Sequence, residues 1–323
     1  MFETNKILCH AERIAQWLEG KPAPIHLGLC PTDLCPHDCP ECNGGRSSEN
    51  PATLTLEALK EITKQFAQVG GKAVSMVGGG EPLMSHATVA ALDYANWIGL
   101  SCGLITNGGV LRAGDEDRIC SVCDWVRVSW DAGSPEMYRK THGASADWDT
   151  TVRNTERLAG VKNRRAMIGV SYLLSKLTAT EAVLAGQVAD NVGADYIQFK
   201  PFDGDTFDPT ETLAEVRRRL PDFTVVGFFQ HERPAKRSYH RCHAMNFILE
   251  VGADGTMYPC CVFRRQKAHP LGNVLEKPMA EILQSKQFQR LPVAGCPAYC
   301  RNHAVNELVQ AHYVNPPTHA DFV

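Results

Sequence analysis

From Ile25 to about Phe202, short apolar runs alternate with longer segments whose apolar residues recur at helical spacing, and this alternation restricts the fold more than any other feature of the 323-residue chain. The strand-like runs are His26 to Leu29, Ala73 to Val77, Ser101 to Thr106, Trp125 to Trp130, Met167 to Leu174 and Tyr196 to Phe202. Helical spacing occupies Leu54 to Val69, His86 to Ile98, Asp115 to Cys120, Trp148 to Lys162 and Ala179 to Val192. Strands that each return through a helix lie parallel in one sheet, with the helices outside it. Ahead of the first strand, Ile7, Leu8, Ala11, Ile14 and Leu18 predict an amphipathic helix packed on the body of the protein.

The formal charge of −3 offers no basic excess for nucleic acid, and no recognition helix stands out. No apolar run approaches the roughly 18 residues that argue for a membrane span. Charges scattered through Lys6–Ile14 exclude a signal peptide. Thirteen cysteines without export signals therefore point to metal ligation in a reducing cytoplasm rather than to disulfides. Cys9, Cys30, Cys102, Cys120 and Cys123 read as small buried apolar residues.

Three cysteines just after the first strand, Cys35, Cys39 and Cys42, are spaced Cys-x3-Cys-x2-Cys. Three thiolates hold a four-iron cluster by three irons and leave the fourth open, whereas a closed structural site uses four protein ligands; a zinc knuckle is the alternative. The second strand runs into Gly78-Gly79-Gly80-Glu81-Pro82. Three glycines there predict either a close backbone approach to a ligand or an ordinary tight turn.

In this order and at this separation the two motifs resemble the signature of radical S-adenosylmethionine (SAM) enzymes. The resemblance implies that the open iron chelates the amino and carboxylate groups of SAM and delivers the electron that cleaves it. It also implies that Gly78, Gly79, Gly80 and Glu81 receive the SAM amino group through their carbonyls and carboxylate. The sequence departs from the family at Glu41, where an aromatic residue often contacts the adenine. The six strand–helix units match the partial (β/α)6 TIM-like barrel of these enzymes, whose functional groups gather at the C-terminal strand ends. Thr106 and Asn107 end the third strand, Ser129 and Asp131 the fourth; Ser171 lies in the fifth and Lys200 ends the sixth. By position Thr106, Asn107, Ser129 and Ser171 are candidates for SAM or substrate contact, and Asp131 and Lys200 for a catalytic base. Arg127 shares the face of Ser129 if the strand is regular.

After a linking stretch from Asp203 to Pro234, Cys242 precedes two short strands joined by Asp254-Gly255, which lead to Cys260 and Cys261; Cys296 and Cys300 follow before a helix. Four thiols from these two places form a closed site that zinc or an iron–sulfur cluster would accept. The segment resembles the SPASM/twitch extension of radical SAM enzymes, abbreviated to a single auxiliary cluster held by Cys242, Cys260, Cys296 and Cys300. Cys261 is left over as an inert neighbour, a substitute ligand or a hydrogen-atom donor. The expected organisation is an N-terminal helix (1–24), the barrel (25–234), the small hairpin-plus-helix auxiliary-cluster domain (235–314) and a tail (315–323).

The resemblance implies SAM and two [4Fe–4S] clusters as cofactors, a flavodoxin- or ferredoxin-type electron donor, and hydrogen abstraction from a C–H bond by a 5′-deoxyadenosyl radical. About twenty-four residues precede the first strand, short of the leader-binding domain common in peptide-modifying members. By analogy with twitch-type dehydrogenases and sugar epimerases, the resemblance implies a small-molecule partner, a sugar or aminocyclitol undergoing dehydrogenation; neither nucleic acid nor membrane is expected. The alternatives are a radical epimerase using Cys261 as hydrogen donor, modification of a ribosomal peptide, and a non-enzymatic zinc or iron–sulfur regulator.

Overall fold

The computed structural model describes residues 5–40, 42, 51–202, 207–227, 237–285, 293, 296 and 300–318. Glu41, the linking residues Asp203, Gly204 and Asp205, and the expected barrel boundary at 234 lie outside them. A 3-10 turn (Lys6–His10) leads into α1 (Ala11–Leu18), followed by β1 (His26–Leu29), α2 (Leu56–Gln68), β2 (Ala73–Met76), α3 (Ala87–Trp97), β3 (Ser101–Thr106) and α4 (Asp115–Val122). Next come β4 (Trp125–Ser129), α5 (Pro135–His142), α6 (Trp148–Ala159), β5 (Met167–Leu174), α7 (Ala182–Asn191) and β6 (Tyr196–Pro201). The remainder holds α8 (Thr210–Arg219), β7 (Val225–Gly227), β8 (Ile248–Val251), β9 (Thr256–Tyr258), α9 (Cys261–Gln266), β10 (Gly272–Asn273), α10 (Met279–Gln284) and α11 (His303–Val309).

The ten strands among the described residues form one sheet, ordered β10-β9-β8-β1-β2-β3-β4-β5-β6-β7. Strands β1 to β7 are parallel, as the strand–helix alternation requires, and the sheet remains open, giving the expected partial barrel. A seventh strand, β7, extends it beyond the six expected. The C-terminal hairpin is joined to the barrel more closely than an appended domain would be: β8 pairs parallel with β1, Gly28 opposite Glu250, and continues the sheet past its first strand.

The helix-facing positions of the strands (Leu27, Leu29, Val74, Met76, Leu104, Val126, Val128, Ile168, Val170, Ile197, Phe199) are buried and apolar. The alternate positions carry Ser75, Arg127, Ser129, Ser171, Gln198 and Lys200, so period-two alternation gives the barrel a polar interior. Within it two glycines make room for neighbouring rings: Trp125 lies over Gly103 and Tyr196 over Gly169, each where a Cβ would stand. Arg127 stacks on Trp125 at 5.2 Å and its Nε donates to the Tyr196 hydroxyl at 3.3 Å, completing this layer.

Two local expectations change. The N-terminal helix opens as a 3-10 turn, whose tighter winding shifts the phase of the apolar residues. Ile7 and Ile14 are buried in a second core with Phe247 and Val309, while Leu8, Leu18 and Cys9 are exposed. Cys30, Cys102, Cys120 and Cys123 are buried as expected. Gly169→Ala is expected to displace the Tyr196 ring and to cost about 1–3 kcal/mol, read as a lowered urea midpoint; an unchanged midpoint would mean the ring does not occupy that space.

Candidate functional site

The cysteine loop and the glycine loop are built as one unit. Gly80 N donates to the Thr32 carbonyl at 3.0 Å and Glu81 N to that of Leu34 at 2.8 Å. A Cβ on Gly79 would strike the Asp33 carboxylate, and one on Gly80 the Leu34 carbonyl, one residue before Cys35. The glycines are thus required by close approach to the cysteine loop itself.

Glu81 ties this pair to the end of β3. Its carboxylate accepts from Leu83 N (2.9 Å), the Thr106 hydroxyl (2.7 Å) and Asn107 N (2.7 Å). Burial pushes its pKa up to about 7 against the opposing pull of these donors. Oε1 takes two of the three bonds, so one acceptor direction remains, on Oε2. The Thr106 hydroxyl is committed as well, accepting from Gly108 N. Asn107 reaches back to the cysteine loop, its Nδ2 lying 3.7 Å from Cys35 Sγ.

Cys35, Cys39 and Cys42 share this mouth, and Cys42 N donates to Cys39 O at 3.3 Å. Burial, reinforced by Cys42 and Cys35, pushes the Cys39 thiol up to about 12. Among the described residues the one trio of metal-capable side chains with ligand atoms within 4.8 Å of one another is His37, Cys39 and His142. Three thiols with a glycine cradle alongside suit a cluster held on three sides and left open on the fourth.

Across the mouth, β4 and β5 place Ser129 beside Ser171, and β6 places Gln198 beside Ser171. Arg127 shares their face on a regular strand. Asp131 adopts a left-handed φ of 48°, accepts from Leu173 N at 2.6 Å and lies 4.0 Å from His142 Nε2. Burial raises its pKa to about 6, with the Lys200 charge opposing. The fold thus joins Glu81 to Thr106 and Asn107, Ser129 to Ser171, and Asp131 to the charge of Lys200. It adds His37, Tyr138 and His142, with Tyr138 and His142 stacked at 4.2 Å, and Gln198, whose buried Oε1 has no hydrogen-bond partner. Tyr138 and His142 were missed because α5 was not expected, although Ser134-Pro135 is a helix start: Ser134 Oγ caps Met137 N and proline takes the first turn.

The second thiol set also assembles. Burial pushes Cys242 up to about 11 and Cys260 up to about 12, with Cys300 and Cys296 acting on Cys242, and Cys242 on Cys260. Asn306 of α11 fixes the Cys242 segment, accepting from the His243 and Ala244 amides while its Nδ2 lies 3.8 Å from Cys242 Sγ. The charges acting on Cys261 are instead those of Arg301, Glu250 and Arg264. That division supports Cys260 as the ligand of the doublet.

The chain matches the model of the radical SAM superfamily over residues 29–181 and that of the SPASM iron–sulfur cluster-binding domain over 242–304. A GTP 3′,8-cyclase of Haemophilus influenzae is 26% identical over 166 residues, covering 48% of this chain and 47% of that protein. The chain thus spans about half the length of that curated relative. Among solved structures, Streptococcus suis SuiB bound to precursor peptide SuiA superposes with a TM-score of 0.67 at 14% identity, covering 86% of this chain and 69% of SuiB. The anSMEcpe protein with bound AdoMet and Cp18Cys peptide gives 0.61 at 16% identity, covering 82% and 81%. The SuiB comparison overturns the expectation of a small-molecule partner, since the partner in that structure is a peptide. Among the described residues no helix is long and apolar enough to cross a membrane.

Two outcomes follow from this geometry. Gly80→Val is expected to push the Leu34–Cys35 backbone aside, lowering iron at the three-cysteine site as well as SAM affinity; full iron content would show that the loops are not interlocked. Because burial keeps Cys39, Cys242 and Cys260 protonated at neutral pH, ligation must expel protons. Iron uptake during reconstitution should therefore rise between about pH 7 and 9, and pH-independent uptake would exclude these thiols as ligands.

Proposed function

Since the chain belongs to the radical SAM superfamily and carries a SPASM iron–sulfur domain, we propose that it binds SAM and two [4Fe–4S] clusters and abstracts hydrogen from a C–H bond of a peptide. The observation that carries the reading is the interlock of the three-cysteine loop with Gly78–Glu81 at the C-terminal ends of parallel strands. When bound, these groups supply the 5′-deoxyadenosyl radical and an acceptor for one electron. Cys35, Cys39 and Cys42 hold the open cluster; Cys242, Cys260, Cys296 and Cys300 hold the closed one.

The protein's own residues orient the reactants. The free acceptor direction on Glu81 Oε2 and the Gly78–Gly80 backbone suit an ammonium donor, and Ser129 and Ser171 suit ribose hydroxyls. The unpartnered Gln198 Oε1 suits an amide N–H, which a peptide offers at every residue but proline. Asp131, whose pKa burial raises to about 6 against the opposing pull of the Leu173 N–H and the Lys200 charge, is suited to take a proton. The likeness to SuiB and anSMEcpe, both solved with peptides, favours the peptide over a sugar.

A second outcome is favoured by Cys261. Burial raises its pKa and keeps the S–H intact, the state a hydrogen-atom donor needs. Oxidation would make the product two hydrogens lighter. Donation from Cys261 would instead invert the carbon and insert solvent deuterium there, and Cys261→Ala would then form 5′-deoxyadenosine without inverted product.

The test is anaerobic reconstitution with iron and sulfide, then SAM, dithionite and perdeuterated peptides. Deuterium is expected in 5′-deoxyadenosine, and none of that nucleoside should form in the Cys35→Ala/Cys39→Ala/Cys42→Ala variant. Nucleoside formation by that variant would remove the radical SAM reading. Transfer from deuterated sugars but from no peptide would remove the peptide.

A further inference from the structure

Arg264 lies in the first turn of α9, and its backbone N donates to the carbonyl of Cys260, an auxiliary-site ligand, at 3.0 Å. Its guanidinium leaves that helix for the other metal site. Nη2 donates to the Gly78 carbonyl at 2.6 Å, the first residue of the glycine loop. Nη1 lies 3.5 Å from where a Cβ of Gly79 would stand. Nε faces Glu250 of β8 at 3.4 Å, both side chains being about one-tenth exposed. Glu250 in turn covers Gly28 of β1, filling the space of its missing Cβ. A buried guanidinium bonded to a carbonyl forms a charge-assisted bond, among the stronger polar contacts a protein makes. This contact joins residues 186 apart in the chain.

Resting on the radical SAM reading above, we propose that Arg264 is a positioning residue for SAM: by holding the Gly78 carbonyl from the auxiliary-site helix, it makes the shape of the SAM-binding loop depend on ligation of the auxiliary thiols. Cys260 begins the helix, so ligating it fixes the helix N-terminus and, one turn on, the origin of the Arg264 side chain. An unligated Cys260 leaves that turn free to shift. Six residues form too short a helix to hold its place unaided. The Gly78 carbonyl then loses its donor, and the loop that approaches SAM loses one wall. Lysine cannot replace arginine here, because one ammonium does not span the separate positions of Gly78 O and Glu250.

Truncating Arg264 alone would strand Glu250 as an unpaired buried carboxylate and endanger the fold. The test therefore compares Glu250→Gln with Glu250→Gln/Arg264→Met in the full, reconstituted chain, reading SAM affinity by equilibrium dialysis and iron content per chain. The double variant should bind SAM at least tenfold more weakly than the single variant, at equal iron in the three-cysteine site. Glu250→Gln/Arg264→Lys should be weakened severalfold, and decides the point if the methionine variant does not fold. Replacing Cys242, Cys260, Cys296 and Cys300 by Ala should weaken SAM binding to a similar degree, with little further loss when Glu250→Gln/Arg264→Met is added. Equal affinity with and without Arg264 at equal iron, or losses that multiply in the combined variant, would overturn the inference while leaving the radical SAM reading in place. Absence of SAM binding in the reconstituted wild type would overturn that reading, and the inference with it.

Discussion

The buried carboxylate of Glu81 is the contact on which the rest of the site depends. Its backbone N–H is given to the cysteine loop and its side chain to the end of β3, so one residue joins three chain segments that have no sequence proximity. Burying a carboxylate is unfavourable, and the pKa of about 7 records that desolvation is only partly offset by three donors. In return the cysteine loop gains a fixed floor, which short-range sequence cannot provide for a Gly- and Pro-rich stretch. Asn107, carried on the same clamp, comes to lie against Cys35. The glycines follow from this arrangement: side chains at 79 and 80 would occupy the volume of Asp33 and Leu34.

The sheet divides labour between its two faces. Apolar residues toward the helices supply the burial that stabilises the barrel, leaving the inner face free of that duty and open to polar residues. Part of that inner face is then satisfied internally, as with Arg127, Trp125 and Tyr196. Ser129, Ser171 and Gln198 form a row nearer the mouth, and a buried amide oxygen without a partner there costs stability that a structural role would not explain.

Much of this was legible in the sequence because it rests on local periodicity. β1, β3 and β5 begin and end where the apolar runs do, since a strand covered on its outer face by helices needs unbroken apolar positions. The two cysteine sets were legible because ligand spacing is local. What could not be read is long-range. Arg264 gives no sign of reaching Gly78, and nothing in Glu250 announces that β8 pairs with β1, because both depend on how the chain returns after the barrel. α5 is a different case: its Ser-Pro start was present but its weak apolar periodicity hid it, and with it His142. The N-terminal segment shows a third kind of failure. One turn of 3-10 geometry shifts the phase of the apolar face, so a correct helix assignment still misplaced Leu8 and Leu18.

The pairing of β8 with β1 also bears on how the two thiol sets are related. A strand that merely abutted the barrel would let the auxiliary site move as a separate body, but a parallel ladder fixes Glu250 opposite Gly28. From β1, Leu29 O accepts from Val77 N at the foot of the glycine loop, and Cys30 N donates to Val251 O. The same ladder therefore sets where the chain leaves for Cys35, where it leaves for Gly78, and where β8 turns toward Cys260. Arg264 closes the loop on the far side by bonding Gly78 directly. With a backbone path and a side-chain path between the same two places, a displacement at one thiol set strains both connections to the other, so the two sites share one mechanical frame.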